Sequence, residues 1–186
     1  MSKGANFERE ICKRLSLWWT RDERDDVFWR SSQSGGRATV RFRKGKKTAG
    51  SYGDICALDP IGEPLLKIFT VELKRGEYVK HPGDLLDCSG SPDCHPFLGA
   101  VRQARQAHER AGSRSWLLIV RRDRKHSTIF FPSRIFLTGE PLRNFQKALT
   151  SEPVFRYRVV GEDFVGMRLE KFLDVVDPAA LAEEII

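Results

Sequence analysis

Thr70-Val71-Glu72-Leu73-Lys74 is the stretch on which the reading of this chain turns. A strand alternates its side chains, so Glu72 and Lys74 project from one face and Val71 and Leu73 from the other. Two opposite charges therefore leave an otherwise apolar strand together. Upstream, Gly53-Asp54-Ile55-Cys56-Ala57-Leu58 reads as a second short strand, and Asp59-Pro60-Ile61-Gly62 supplies turn chemistry that returns the chain against the Glu72 strand. This predicts a hairpin with Asp54 and Glu72 converging at one end. The same residues also fit a plain ion pair at a strand end with Asp54 starting a turn, and short motifs of this kind recur by chance.

The residue types have a chemical logic of their own. A hard cation such as Mg²⁺ takes oxygen ligands, one or two carboxylates together with waters and phosphate oxygens. Asp54 and Glu72 meet that demand. Such an ion polarises a phosphodiester, lowers the pKa of an attacking water and neutralises charge on the leaving oxygen. A lysine where Lys74 stands orients or helps deprotonate that water and offsets charge in the transition state.

The N-terminal segment adds a third acid. From Phe7 to Trp19, stepping about 100° per residue, Phe7, Ile11, Cys12, Leu15, Trp18 and Trp19 fall within one apolar arc of a helix. Glu8 lies inside that arc and Glu10 outside it, where it can pair with Arg14 one turn later as an ordinary surface pair. A carboxylate facing a core needs a counter-charge or a metal. Glu8 is thus either a site residue or a helix-start carboxylate favoured by the macrodipole with Lys or Arg nearby.

Four ordered stretches now fall into line: Lys3-Gly4-Ala5-Asn6-Phe7-Glu8-Arg9-Glu10, Arg30-Ser31 with the turn Ser34-Gly35-Gly36, Gly53-Asp54-Ile55, and Val71-Glu72-Leu73-Lys74. Together they resemble the motifs of archaeal-type Holliday-junction resolvases within the PD-(D/E)xK nuclease superfamily. The resemblance implies a restriction-endonuclease-like α/β fold, a mixed central sheet flanked by helices. It implies that Glu8, Asp54 and Glu72 hold Mg²⁺ or Mn²⁺, that Lys74 is the catalytic lysine, and that Arg30 and Ser31 lie beside the scissile strand. Gln103 matches the glutamine that many members place on the next helix, and it also fits an ordinary surface amide. Branched DNA, a four-way junction above all, is the implied substrate, and a homodimer the implied assembly.

The resemblance runs over residues 3–135, including a helix at Phe97 to Arg110 and strands at Trp116–Val120 and Thr128–Phe131. Gly53 stands where the family has proline, and two insertions interrupt the pattern. The first carries Arg37, Arg41, Arg43, Lys44, Lys46 and Lys47 with no acid between them. Alternation in Thr39-Val40-Arg41-Phe42-Arg43 predicts a basic ribbon that contacts phosphates without reading sequence, a solvated charged loop being the alternative. The second insertion carries His81, Cys88, Cys94 and His95. Cys₂His₂ suits tetrahedral zinc, yet the two cysteines are spaced more widely than the usual pair, so a metal-free loop is the alternative.

The 186 residues, 40% hydrophobic and 31% charged, are enough for one globular domain with a core, and residues 136–186 read as an extension of that same domain. Within it, Phe155–Val160 predicts a strand, Phe164–Val176 a strand or an amphipathic helix, and Pro178 opens a short terminal helix. A net charge of +7 favours a polyanionic partner. Four cysteines without a regular framework, no secretory signal and no apolar run that spans a bilayer point to a reducing, cytoplasmic compartment away from membranes, and the resemblance implies a bacterial, archaeal or phage source. The expected function is metal-dependent hydrolysis of branched DNA. The alternatives are a nuclease of flaps, ends or another repair intermediate, and an inactive DNA-binding module on a nuclease scaffold.

Overall fold

The computed structural model describes residues 3–31, 52–87, 95–136, 154–159 and 162–183. Helix α1 (Lys3–Trp19) leads into β1 (Phe28–Arg30), β2 (Ile55–Ala57), α2 (Glu63–Ile68) and β3 (Phe69–Arg75). Then follow α3 (Pro96–Ala111), β4 (Ser115–Arg121), β5 (Thr128–Pro132), β6 (Phe155–Val159), β7 (Glu162–Arg168), α4 (Leu169–Val175) and α5 (Pro178–Glu183). Strands β3 to β7 form one sheet in the order β3-β4-β5-β7-β6, with β3 and β4 parallel and the other pairs antiparallel. The parallel pair requires a crossover, which α3 provides. This is the mixed, helix-flanked sheet that the resemblance implied.

Local chemistry sets the helix ends. His95 caps α3 by accepting the Phe97 amide on Nδ1, Pro96 takes the first turn where no N–H is needed, and Gly112 closes the helix with φ 68°. Asp177 accepts the Ala179 amide at the start of α5, just ahead of Pro178.

Strand alternation sorts the sheet into two cores. On one face Val71, Leu73, Leu117, Ile119, Ile129 and Phe131 pack against Phe7, Ile11, Cys12 and Leu15 of α1, and Phe172 of α4 and Leu181 of α5 join them. On the other, Trp116, Leu118, Val120 and Phe130 pack against Phe97, Val101 and Ala104 of α3. Each large side chain so buried contributes about 1.5–3 kcal/mol. The α1 arc read from the sequence is the buried stripe, with Trp18 only partly covered and donating its indole N–H to the Val176 carbonyl.

Three expectations change. The interval before Glu72 is not a hairpin: β2 pairs antiparallel with β1, and the Asp59–Gly62 turn runs into α2, which precedes β3. Glu10 does not pair with Arg14. It receives both Arg121 guanidinium nitrogens at 2.6 Å, with that guanidinium 4.6 Å above the Phe7 ring, while Arg14 reaches Glu170 at 3.2 Å. A bidentate partner at the end of β4 outcompetes the single contact available one turn away. Phe164–Val176 is both readings in succession, β7 and then α4. Among the described residues no helix is long and apolar enough to cross a membrane.

Candidate active site

The site is built on an edge of the sheet. Among the described residues β3 pairs with one strand, β4, so its outward amides and carbonyls need other partners. The segment ahead of β2 supplies them. The Asp54 amide donates to the Val71 carbonyl at 2.9 Å, and the Asp54 carboxylate accepts the Leu73 amide on Oδ2 at 2.8 Å. Asp54 therefore lies beside Glu72 although no hairpin ladder joins their strands.

Two neighbours fix that approach. Buried Ser31 donates its amide to the Asp54 carbonyl at 2.8 Å and its hydroxyl to the Gly53 carbonyl. Gly53 faces the strand so closely that a Cβ would stand 2.7 Å from the Val71 carbonyl oxygen and 3.0 Å from the Thr70 methyl. Real Cβ atoms do not approach backbone that closely. The glycine that departs from the family's proline is thus demanded by contact with β3. Gly53→Ala is expected to push Asp54 off the strand and lower cleavage about tenfold to a hundredfold, since roughly 1 Å of misplacement costs that much. Steady-state cleavage rates beside a thermal melt check it; full activity would show the segment is free to shift.

Glu72, Lys74 and Thr70 share the α3 face of β3, as alternation predicts, and all but Lys74 are buried. Glu72 is only 4% exposed. Its Oε2 sits 3.4 Å from Lys74 Nζ and accepts the Gln103 side-chain amide of α3 at 3.1 Å. Burial first, and then the adjacent Asp54 carboxylate, push the Glu72 acid up to about 7, against the opposing pull of Lys74. Two acids crowded together, Glu72 buried and Asp54 half-buried, favour a cation between them. The donors are all oxygen, which fits a hard divalent ion such as Mg²⁺ or Mn²⁺.

Glu8 joins this neighbourhood through another contact. Its Oε2 lies 2.8 Å from Arg30 Nε, the counter-charge that a carboxylate on the α1 core face requires. Glu8, Asp54 and Arg30 all act on the thiol of Cys12, which burial, more than these charges, pushes up to about 12. Among the described residues no three His, Cys, Asp or Glu side chains are arranged as a metal-binding group. The structure thus brings Asp54, Glu72, Lys74 and Gln103 together, and holds Glu8 in an ion pair with Arg30, outside any three-acid group among the described residues.

The remaining expectations divide. Arg37, Arg41, Arg43, Lys44, Lys46 and Lys47, with Cys88 and Cys94, lie outside the described residues. His81 Nδ1 accepts the Gly83 amide at 2.9 Å, and His95 Nδ1 caps α3. The clamp by Ser31 and the packing of Gly53 were not foreseen as such. Their only sequence signals are a small hydroxyl residue following Arg30 and a glycine abutting the acid.

A family model described as phage putative PDDEXK endonuclease matches residues 1–183. No curated protein matches the chain, and no solved structure does.

Proposed function

This chain belongs to the phage PDDEXK endonuclease family, and we propose that it hydrolyses phosphodiesters in branched DNA with Mg²⁺ or Mn²⁺ held at Asp54 and Glu72. The observation that carries this reading is the meeting of two carboxylates, a lysine and a glutamine at the sheet edge. The bound ion supplies an activated water and neutralises charge on the leaving oxygen.

The chain's own side chains do the positioning. Asp54, fixed by accepting the Leu73 amide on Oδ2, would hold the ion together with Glu72. Gln103 and Lys74 converge on Glu72 Oε2, fixing the rotamer of a carboxylate that has little room to turn. Lys74, 16% exposed, orients the attacking water and offsets negative charge as the phosphate becomes more anionic. Glu8, held at 2.8 Å by Arg30, would join the acidic set by giving up that ion pair, which would turn the guanidinium to a phosphate. Ser31 acts by holding Gly53 and Asp54 in place.

Residues 1–186 work as one nuclease domain in this reading, with the basic run from Arg37 to Lys47 gripping phosphates. A four-way junction has two symmetry-related cut positions, which a two-fold dimer serves with paired incisions. The test is a cleavage panel of four-way junction, flap and linear duplex in Mg²⁺, Mn²⁺ or EDTA. Paired junction cuts that vanish in EDTA are expected. Tight binding without incision in every metal condition would make the chain a DNA-binding module, and preferential cutting of flaps or ends would move it to another repair intermediate.

A further inference from the structure

A groove on the α3 face of the sheet lies in line with the reactive lysine. Lys74 pairs in register with Val120, Val120 with Thr128, and Thr128 with Arg168. With strands about 4.8 Å apart, Arg168 stands about 14 Å from the strand of Lys74 along this row. There the sheet opens into a cavity of about 470 Å³, within the range that takes a small flat ligand.

The walls are of two kinds. One is aromatic: the Phe155 ring, 56% exposed, lies 6.2 Å from Tyr157 and meets His81 edge-on at 6.5 Å. Tyr157 in turn stacks at 5.3 Å on buried Phe164, so the platform is anchored in the core. The other is basic: Arg122, Lys125 and Arg168 line the cavity with Lys80 and Lys171, and no carboxylate is among the described residues that do. Lys171 also lies 4.0 Å from Asp174, and Asp84 accepts the amide of His81, a lining residue.

An exposed Phe155 ring backed by Tyr157, beside Arg122, Lys125 and Arg168 with no carboxylate among the described lining residues, suits a ligand with both a π-face and negative charge. We infer that this groove binds an unpaired nucleotide of the DNA substrate, its base stacked on Phe155 and its phosphates met by Arg122, Lys125 and Arg168. A base inside a duplex has both faces covered and offers Phe155 nothing, so the occupant is a single-stranded segment. Stacking is indifferent to which base is present, and the groove therefore tolerates sequence. The row from Arg168 back to Lys74 places this segment on the same sheet face as the reactive centre. The inference rests on the nuclease reading above and names the part of a branched substrate that the enzyme holds.

The test is fluorescence anisotropy in EDTA, which needs no turnover, with a labelled oligothymidylate, the same oligomer made abasic, and a blunt duplex. Phe155→Ala is expected to weaken single-strand binding about tenfold while leaving duplex affinity unchanged. The abasic oligomer should bind wild-type protein as weakly as the thymidylate binds Phe155→Ala. Lys125→Ala with Arg168→Ala should weaken single-strand binding and flatten its salt dependence. Phe155 is largely exposed, so a thermal melt should match wild type. Unchanged single-strand affinity in both variants overturns the inference, and so do equal losses for duplex and single strand or an abasic oligomer that binds like the intact one. Junction cleavage in Mg²⁺ by the wild-type protein is scored separately, so failure of the groove and failure of the nuclease reading give different results.

Discussion

Asp54→Asn and Glu72→Gln are each expected to reduce strand cleavage on the order of a thousandfold or more, while DNA binding in EDTA holds or tightens. Both substitutions keep shape and remove charge. An asparagine oxygen still accepts the Leu73 amide that Asp54 accepts at 2.8 Å, and a glutamine oxygen still receives Lys74 and Gln103. What is lost is affinity for the divalent ion, whose stabilisation of the transition state is worth several kcal/mol, each 1.36 kcal/mol being about tenfold. One carboxylate fewer facing a phosphate removes repulsion, so affinity without metal does not fall. Glu72→Gln also removes a carboxyl that burial first, and then Asp54, push up, so its melting temperature should equal or exceed that of wild type. Single-turnover cleavage of a labelled junction, anisotropy and a thermal melt read these three quantities. Near-wild-type incision by pure Asp54→Asn protein would remove the centre from this place in the fold.

Lys74→Ala is expected to lower the cleavage rate of bound DNA about a hundredfold to ten-thousandfold, the range for a positioned proton-transfer or charge-offsetting group. Affinity should change far less. Lys74 is mostly covered and lies 3.4 Å from Glu72, so its charge is directed at the acids and the reacting phosphate more than at the DNA backbone at large. Lys74→Arg keeps the charge but replaces a compact ammonium with a broad planar fork, and it should recover only part of the rate. Single-turnover rates and dissociation constants measured side by side separate the roles. A drop in affinity with an unchanged rate for bound substrate would reduce Lys74 to a phosphate anchor.

How far the sequence could be read depended on the range of each interaction. The α1 stripe, the alternation of Glu72 and Lys74 against Val71 and Leu73, and the course of α3 are periodic patterns, and the observed elements follow them. Gln103 was legible as the edge of a helical face and reaches Glu72 from there. The hairpin expectation failed on Glu63-Pro64-Leu65-Leu66-Lys67-Ile68, a six-residue helix too short to show a period. Its one signal was Pro64 at the first turn. Glu10 was assigned a neighbour one turn away because local pairs are visible in a sequence, whereas Arg121, 111 residues on, is not. The same distinction hid the contact between Asp54 and Leu73. An acid accepting an amide across a strand edge leaves no pattern in either segment.

That contact has a consequence for how the protein keeps company with its own copies. A sheet rim with vacant amides is a template onto which another chain can zip, the first step toward fibres and precipitates. Asp54, pinned by Ser31 and seated through Gly53, occupies the rim of β3 and works as a bumper. Loosening this loop therefore carries a double penalty, because a slack bumper bares a sticky border at the moment it disorders the reactive carboxylate. At Ser31 and Gly53, substitutions that keep this border covered are therefore expected also to keep Asp54 in its place.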